Sequence, residues 1–180
     1  ELRTSLAKDL RDILKQEQTT ALLVTHDQNE AFAMADQIGV INKGKIEQWD
    51  SAYNLYHAPK TRFVADFVGE GVILPGELDR QRRVHTEIGS ASIAASSSIT
   101  SEQVETLIRP DDILLAEDSE GSFSAEIIDK AFRGAEYLYT LKLPSGHKLL
   151  ALCASHKNYA IGDTVSVVLD DVILPIFSNC

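Results

Sequence analysis

Turn-forming residues recur at short intervals through the last 110 residues of the chain, and this spacing constrains its fold more than any other feature. Groups of glycine, proline, serine and aspartate stand at residues 75–76, 89, 96–98, 110–112, 119–121, 144–146 and 161–163. The strand-length segments between them include residues 137–143, which alternate most cleanly between the two faces of a strand. Short strands at such spacing are typical of an all-β barrel or sandwich. The sequence therefore predicts an all-β domain over residues 71–180.

Residues 1–70 have a different pattern, in which helical and strand periods alternate. Leucine and isoleucine recur at helical spacing over residues 2–14, which predicts an amphipathic helix with one buried stripe. The continuous apolar run at residues 21–24 predicts a strand buried on both faces, as in a parallel sheet flanked by helices. The chain as a whole is therefore predicted to be α+β, with a domain boundary after residue 70.

Local signals predict the remaining elements of this first region. Asp27 and Glu30 form a capping-box pattern that begins a helix over residues 28–35. A tight turn at residues 42–45 predicts a hairpin. A short helix capped by Ser51 follows, and a second helix is predicted over residues 61–68, ended by Gly69.

Composition limits the classes of function. The chain carries 17 Lys+Arg against 27 Asp+Glu, a net charge of −10, which argues against a nucleic-acid binder that neutralises phosphates. Two cysteines are too few for a disulfide framework and indicate a reducing compartment. No apolar run approaches the roughly 18–20 residues that cross a bilayer. Because the first residue is Glu1, we expect the chain to be a fragment of a longer protein.

His26 is the candidate functional residue, because it follows the predicted buried strand and precedes a capped helix. Ligands of α/β sheets bind at this position, where an imidazole can touch a phosphate and orient a water. A hydrogen-bonded turn histidine is the alternative, and position alone leaves both open. The other histidines are scattered without metal-ligand spacing, so no metal site is predicted: His57, His85, His147 and His156.

Several segments of the first region resemble the ATPase subunits of ABC transporters. Residues 22–31, LLVTHDQNEA, resemble the switch-histidine region of that family, and residues 38–48 resemble the hairpin that follows it. Residues 53–59 and 62–69 resemble a segment of its importers.

The second region resembles the accessory domain of the same subunits. Residues 107–113, LIRPDDI, resemble an element of the transport-associated OB-like (TOBE) domain. Residues 132–137, FRGAEY, are similar to a strand turn of that domain in the version associated with ferric-iron importers. These elements span nearly the whole chain in the family's order.

The resemblance implies a truncated α/β tail of an ABC ATPase domain, residues 1–70, followed by an all-β OB-like regulatory domain, residues 71–180. The parent is then the ATP-hydrolysing subunit of a bacterial ferric-iron importer, peripheral on the cytoplasmic face of the inner membrane. By resemblance, His26 contacts the γ-phosphate and helps to position the attacking water, only in the intact parent. ATP and magnesium belong to that parent, because the glycine loop, the signature and the Asp-Glu strand are absent from this sequence. No cofactor-binding or metal residue, and no activity, is expected of the chain alone.

The implied partners are membrane-spanning permease subunits and a second copy of the chain in a homodimer, with no nucleic acid and no direct iron binding. Other functions stay open at this point. The parent could import a sugar, a polyamine or an anion, and the β-domain could be a small-anion sensor. An OB-type nucleic-acid module is disfavoured by the charge.

Overall fold

A computed structural model describes residues 2–95, 97–116 and 123–178, with side chains from Leu6 onward. The chain divides into two compact units, which we call the N-terminal unit (residues 1–69) and the β unit (residues 70–180).

The N-terminal unit contains four helices and one hairpin. Its elements are α1 (Leu2–Gln16), α2 (Gln28–Met34), β1 (Ile38–Asn42), β2 (Lys45–Asp50), α3 (Ala52–His57) and α4 (Arg62–Phe67). The predicted helices and hairpin are confirmed, because their signals are local. Asp27, Ser51 and Thr61 each accept a backbone N–H at a helix start. The hairpin turns at Lys43 and Gly44, whose φ angles of 47° and 77° suit a two-residue turn with positive φ at both positions.

The strand predicted at residues 21–24 is wrong. This run forms no strand, and Leu22 and Val24 are 84% and 87% exposed. A strand buried on both faces needs neighbouring strands and helices to cover it. Within the described N-terminal unit, β1 and β2 pair only with each other, in a two-stranded sheet that does not include this run.

The buried stripe predicted for α1 is also wrong, although the helix itself is present. Leu6, Leu10 and Ile13 are all exposed. Polar contacts attach α1 to the end of α2, since Arg11 donates to the Met34 carbonyl at 2.6 Å and to the Asp36 carboxylate at 2.7 Å. An amphipathic pattern shows which face can be buried, but burial also requires a surface to pack against.

The core of the N-terminal unit is small. Val40, Leu55, Val64 and Val68 are buried between the hairpin and the last two helices. Phe32, Ile38 and Tyr56 pack against them and remain partly exposed.

The β unit confirms the predicted all-β architecture in the residues described. Its strands are β3 (Val72–Leu78), β4 (Arg83–Thr86), β5 (Gly89–Ile93), β6 (Gln103–Ile108), β7 (Ile113–Ala116), β8 (Phe123–Phe132), β9 (Glu136–Lys142), β10 (Lys148–Ala154), β11 (Thr164–Leu169), β12 (Ile173–Leu174) and β13 (Ile176–Ser178). A six-stranded sheet has the order β12-β5-β4-β3-β6-β13, and a five-stranded sheet has the order β10-β9-β8-β11-β7. Strands β12 and β5 pair in parallel, and the other neighbours are antiparallel.

Both sheets contribute to one continuous apolar core. Leu74 and Val84 of the six-stranded sheet belong to the same buried cluster as Ile127, Leu141 and Leu149 of the five-stranded sheet. Two sheets that bury their inner faces together need no further layer to complete a domain.

Candidate functional site

The turn that carries His26 is fixed by the residues on either side of it. The Asp27 carboxylate accepts the N–H groups of Asn29 at 2.8 Å and Glu30 at 3.3 Å, which begins α2. The Thr25 hydroxyl accepts the Asp27 N–H at 3.0 Å and donates to the Glu30 carboxylate at 2.8 Å. The predicted capping box is thus corrected in one respect. Glu30 binds the Thr25 hydroxyl, and that hydroxyl receives the Asp27 N–H that Glu30 would otherwise take.

His26 lies in this rigid turn with its side chain exposed, and its imidazole makes no hydrogen bond within the described part of the chain. The alternative of a hydrogen-bonded turn histidine therefore has no partner for the imidazole among the described residues. A neutral imidazole presents one donor and one acceptor, and a protonated one presents two donors. Because its neighbours hold the backbone, the ring is available to a group that comes from outside the turn.

The residues around His26 do not by themselves fit a complete site for magnesium and ATP. The described residues contain no group of three or more His, Cys, Asp or Glu side chains that could hold a metal ion. The two nearest carboxylates, Asp27 and Glu30, are engaged in the turn itself. Among the described residues of this turn, the imidazole is thus the side chain left exposed to an outside group.

The other histidines lie apart from one another and have neighbours of their own. The His57 ring lies 4.4 Å from the Tyr53 ring on α3. His85 Nε2 lies 2.7 Å from the Asp79 carboxylate, and His147 Nδ1 lies 2.7 Å from Glu87. His156 is exposed. These two histidine–carboxylate pairs had no signal in the sequence, because the fold alone brings the members of each pair together.

Glu70, the first residue of the β unit, is held by two arginines, and the sequence did not predict this contact. Arg133 binds the Glu70 carboxylate with both terminal nitrogens, at 2.7 and 3.0 Å. The hydrogen bonds from Arg133 hold the pKa of Glu70 below its ordinary range, against the opposing effect of burial. Arg109, which is 2% exposed, donates to the Glu70 carbonyl at 3.0 Å. The opposite charges of Glu70 and Arg133, 63 positions apart, were the one feature of the sequence that could have indicated this pair.

Asp111 and Asp112 lie in a turn of 3₁₀-helix, Pro110–Asp112, as the proline and aspartates predict. The Asp112 carboxylate accepts the Arg109 N–H at 2.7 Å. Asp112 therefore caps the backbone at the start of this turn.

An open cleft of about 300 Å³ lies in the five-stranded sheet of the β unit, and Ser124, Glu126, Lys142 and Thr164 contribute to its lining. Glu126 and Lys142 are cross-strand partners. Because their charges offset each other, this cleft does not favour the small-anion sensor among the possible functions.

Comparison with known proteins assigns a family to part of the β unit. The family model for the TOBE domain matches residues 106–172, from within β6 to the residue before β12. Residues 106–172 are therefore similar to the TOBE domain, as the resemblance implied.

A longer similarity extends beyond the β unit, because it spans more residues than that unit contains. The spermidine/putrescine import ATP-binding protein PotA of Mycoplasma genitalium is 33% identical over 144 residues, which are 79% of this chain and 26% of that protein. The chain thus spans about a quarter of the length of this relative.

Among solved structures, the cytoplasmic molybdate-binding protein ModG with molybdate bound aligns with 60% of this chain and 96% of its own. The TM-score is 0.49 and the identity 13%, and a likeness at this level supports no inference. In the described residues, no helix combines the length and apolar character required to cross a membrane.

Proposed function

We propose that this chain is the C-terminal part of the ATP-binding subunit of an ABC importer. In this proposal residues 1–70 are the tail of the ATPase domain and residues 71–180 are its regulatory domain. The observation that carries the proposal is the similarity to an import ATP-binding protein over 79% of the chain. The TOBE match within the β unit supports it independently.

Within the intact subunit, His26 contacts the γ-phosphate of ATP and helps to position the attacking water. The exposed, unbonded imidazole on a turn with fixed neighbours supports this role. A group held in place before the reaction stabilises developing charge without reorganisation. Magnesium and the remaining contacts to ATP belong to parts of the subunit outside this sequence.

The test is His26→Ala in the intact subunit, assayed by phosphate release and by nucleotide binding. Hydrolysis is expected to fall by about a hundredfold or more, the usual loss when one pre-positioned group is removed, while affinity changes little. His156→Ala, which removes an exposed histidine of the β unit, is the control and should hydrolyse ATP normally. Unchanged turnover in His26→Ala would exclude His26 from the mechanism. Titration of the present chain with Mg-ATP should give no binding.

The cargo has two candidates, and one observation favours each. Ferric iron is favoured by the resemblance of residues 132–137, and a polyamine is favoured by the similarity to the spermidine/putrescine import protein of M. genitalium. Uptake of labelled ferric iron and of labelled spermidine, measured in cells with and without the intact subunit, separates them. Loss of iron uptake alone supports the first candidate, and loss of spermidine uptake alone supports the second.

The proposed subunit works with membrane-spanning permease subunits on the cytoplasmic face of the bacterial membrane, without touching the cargo or nucleic acid. We also propose that it pairs with a second copy of itself. The apolar side chains that the N-terminal unit leaves exposed support this pairing, because such surfaces tend to recruit another chain.

A further inference from the structure

The N-terminal unit ends in a short, well-defined segment. Helix α4 ends at Phe67, and the N–H of the next residue, Val68, donates to the Val64 carbonyl at 2.9 Å. Gly69 follows with φ of 73°, the left-handed conformation that commonly ends a helix and that glycine adopts without strain.

One side chain from a distant part of the N-terminal unit holds this segment. The Gln28 amide donates through Nε2 to the Phe67 carbonyl and accepts the Gly69 N–H through Oε1 at 3.3 Å. A single amide therefore binds the last residue of α4 and the residue two positions after it. Gln28 is the first residue of α2 and comes two residues after His26.

The β unit holds its own first residue in a comparable way. Arg133 binds the Glu70 carboxylate with two nitrogens, and the buried Arg109 binds the Glu70 carbonyl. A bidentate arginine–carboxylate pair fixes orientation as well as distance. Both the side chain and the backbone of Glu70 are thus fixed within the β unit.

We infer that Gln28 and Arg133 are positioning residues that clamp two consecutive residues, Gly69 and Glu70, each from its own unit. The freedom of the connecting segment is then confined to the backbone torsions between these two residues. Because Gln28 belongs to the turn and helix start that carry His26, a displacement of that turn moves Gly69 with it. This inference goes beyond the proposed function, since it requires no nucleotide and no activity.

Backbone ¹⁵N relaxation of the complete chain tests the clamp directly. Gly69 and Glu70 are expected to have order parameters near about 0.85, as in rigid backbone, and to fall below about 0.6 when released. Gln28→Ala should release Gly69 and leave Glu70 ordered, whereas Arg133→Ala should release Glu70 and leave Gly69 ordered. The controls Gln37→Ala and Arg80→Ala change exposed residues of the same types and should change neither value.

A conservative variant separates the clamp from general loss of structure. Gln28→Glu keeps an oxygen that can accept the Gly69 N–H, so Gly69 should stay ordered in it. If Gln28→Ala unfolds the N-terminal unit, low order parameters at Leu55 and Val64 will show it. In that case the order parameter of Gly69 in Gln28→Glu tests the clamp. An ordered Gly69 then supports the clamp and a mobile one overturns it. A rigid Gly69 in a folded Gln28→Ala variant also overturns it.

Asp27→Ala tests whether a displacement of the turn that carries His26 reaches Gly69 through Gln28. This variant removes the cap that fixes the start of α2. This change should lower the order parameter of Gly69 in the wild-type background. In the Gln28→Ala background it should add no further loss at Gly69. Equal additional loss in both backgrounds would show that Gln28 does not connect the turn to the segment.

Discussion

The two units of this chain differ in how completely each buries its own apolar side chains. The β unit encloses a continuous core between two sheets, with Ile127, Leu141 and Leu149 fully buried. The N-terminal unit buries a small cluster around Leu55, and most of the large apolar side chains exposed on the described chain belong to it. Two facing sheets can close a core without help, whereas one hairpin with a few short helices cannot.

The exposed side chains of the N-terminal unit also form surfaces rather than isolated points. Ile41 and Ile46 are cross-strand partners on the hairpin and are 66% and 59% exposed. Trp49 lies on the same strand opposite Gly39 and is 53% exposed. Exposed single apolar residues are ordinary, but contiguous ones mark a surface that another chain or segment covers. The β unit therefore encloses its own core, whereas the N-terminal unit leaves a contiguous apolar surface exposed.

The largest expected effect tests the core of the β unit. Leu141→Ala should lower the free energy of unfolding of this unit by about 2–5 kcal/mol, since it removes a fully buried side chain and leaves a cavity. Leu23→Ala, at a 44%-exposed position of the N-terminal unit, should change stability by less than about 0.5 kcal/mol. Urea unfolding of both variants measures the difference. Equal losses would mean that Leu23 is buried in solution and that the contrast between the units is wrong.

The next effect concerns the exposed run before His26. Replacing Leu22 and Val24 together with serine should weaken the proposed self-association by about tenfold or more, because about 1.4 kcal/mol of lost apolar burial corresponds to a factor of ten. Ile161→Ser changes a 60%-exposed side chain of the β unit and is the matched control. Sedimentation equilibrium over a range of concentrations measures the dissociation constants. An unchanged constant in the double variant would remove this run from the interface.

The smallest effect concerns the pair of Arg133 and Glu70. Arg133 lowers the pKa of Glu70 in the folded state. The pair therefore stabilises the β unit fully at pH values above the ordinary glutamate pKa of about 4.3. This stabilisation is lost as the pH falls through the lowered pKa of Glu70 in the folded protein. Both side chains are partly exposed, so Arg133→Ala should cost less than about 1 kcal/mol at pH 7. Thermal unfolding of the wild type and the variant should converge below pH 4. A constant difference down to pH 2 would contradict the assigned cause.

The features that the sequence predicted correctly depend on neighbours along the chain. The caps at Asp27 and Ser51 and the turn at Lys43 and Gly44 each involve residues within four positions. The strands of the β unit were predictable for the same reason, since turn signals bound them. His26 was found from its place between an apolar run and a capped helix, although its role in hydrolysis stays a prediction.

The features that could not be predicted from the sequence depend on residues that are far apart along the chain. The run at residues 21–24 has the composition of a buried strand, but composition does not show whether a neighbouring strand is present. The contacts of Gln28 with Gly69, and of Arg133 with Glu70, join residues 41 and 63 positions apart. Their chemistry is ordinary, and only the fold brings the partners together.

Separating the chain at the boundary between its two units tests the central contrast most directly. Because the β unit encloses its own core, residues 70–180 alone should give dispersed amide resonances. Their cooperative thermal transition should be close to that of the same unit in the complete chain. Residues 1–69 alone, at concentrations low enough to prevent self-association, should give no cooperative transition. A monomeric, cooperatively unfolding fragment of residues 1–69 would show that its small core suffices and would contradict the account.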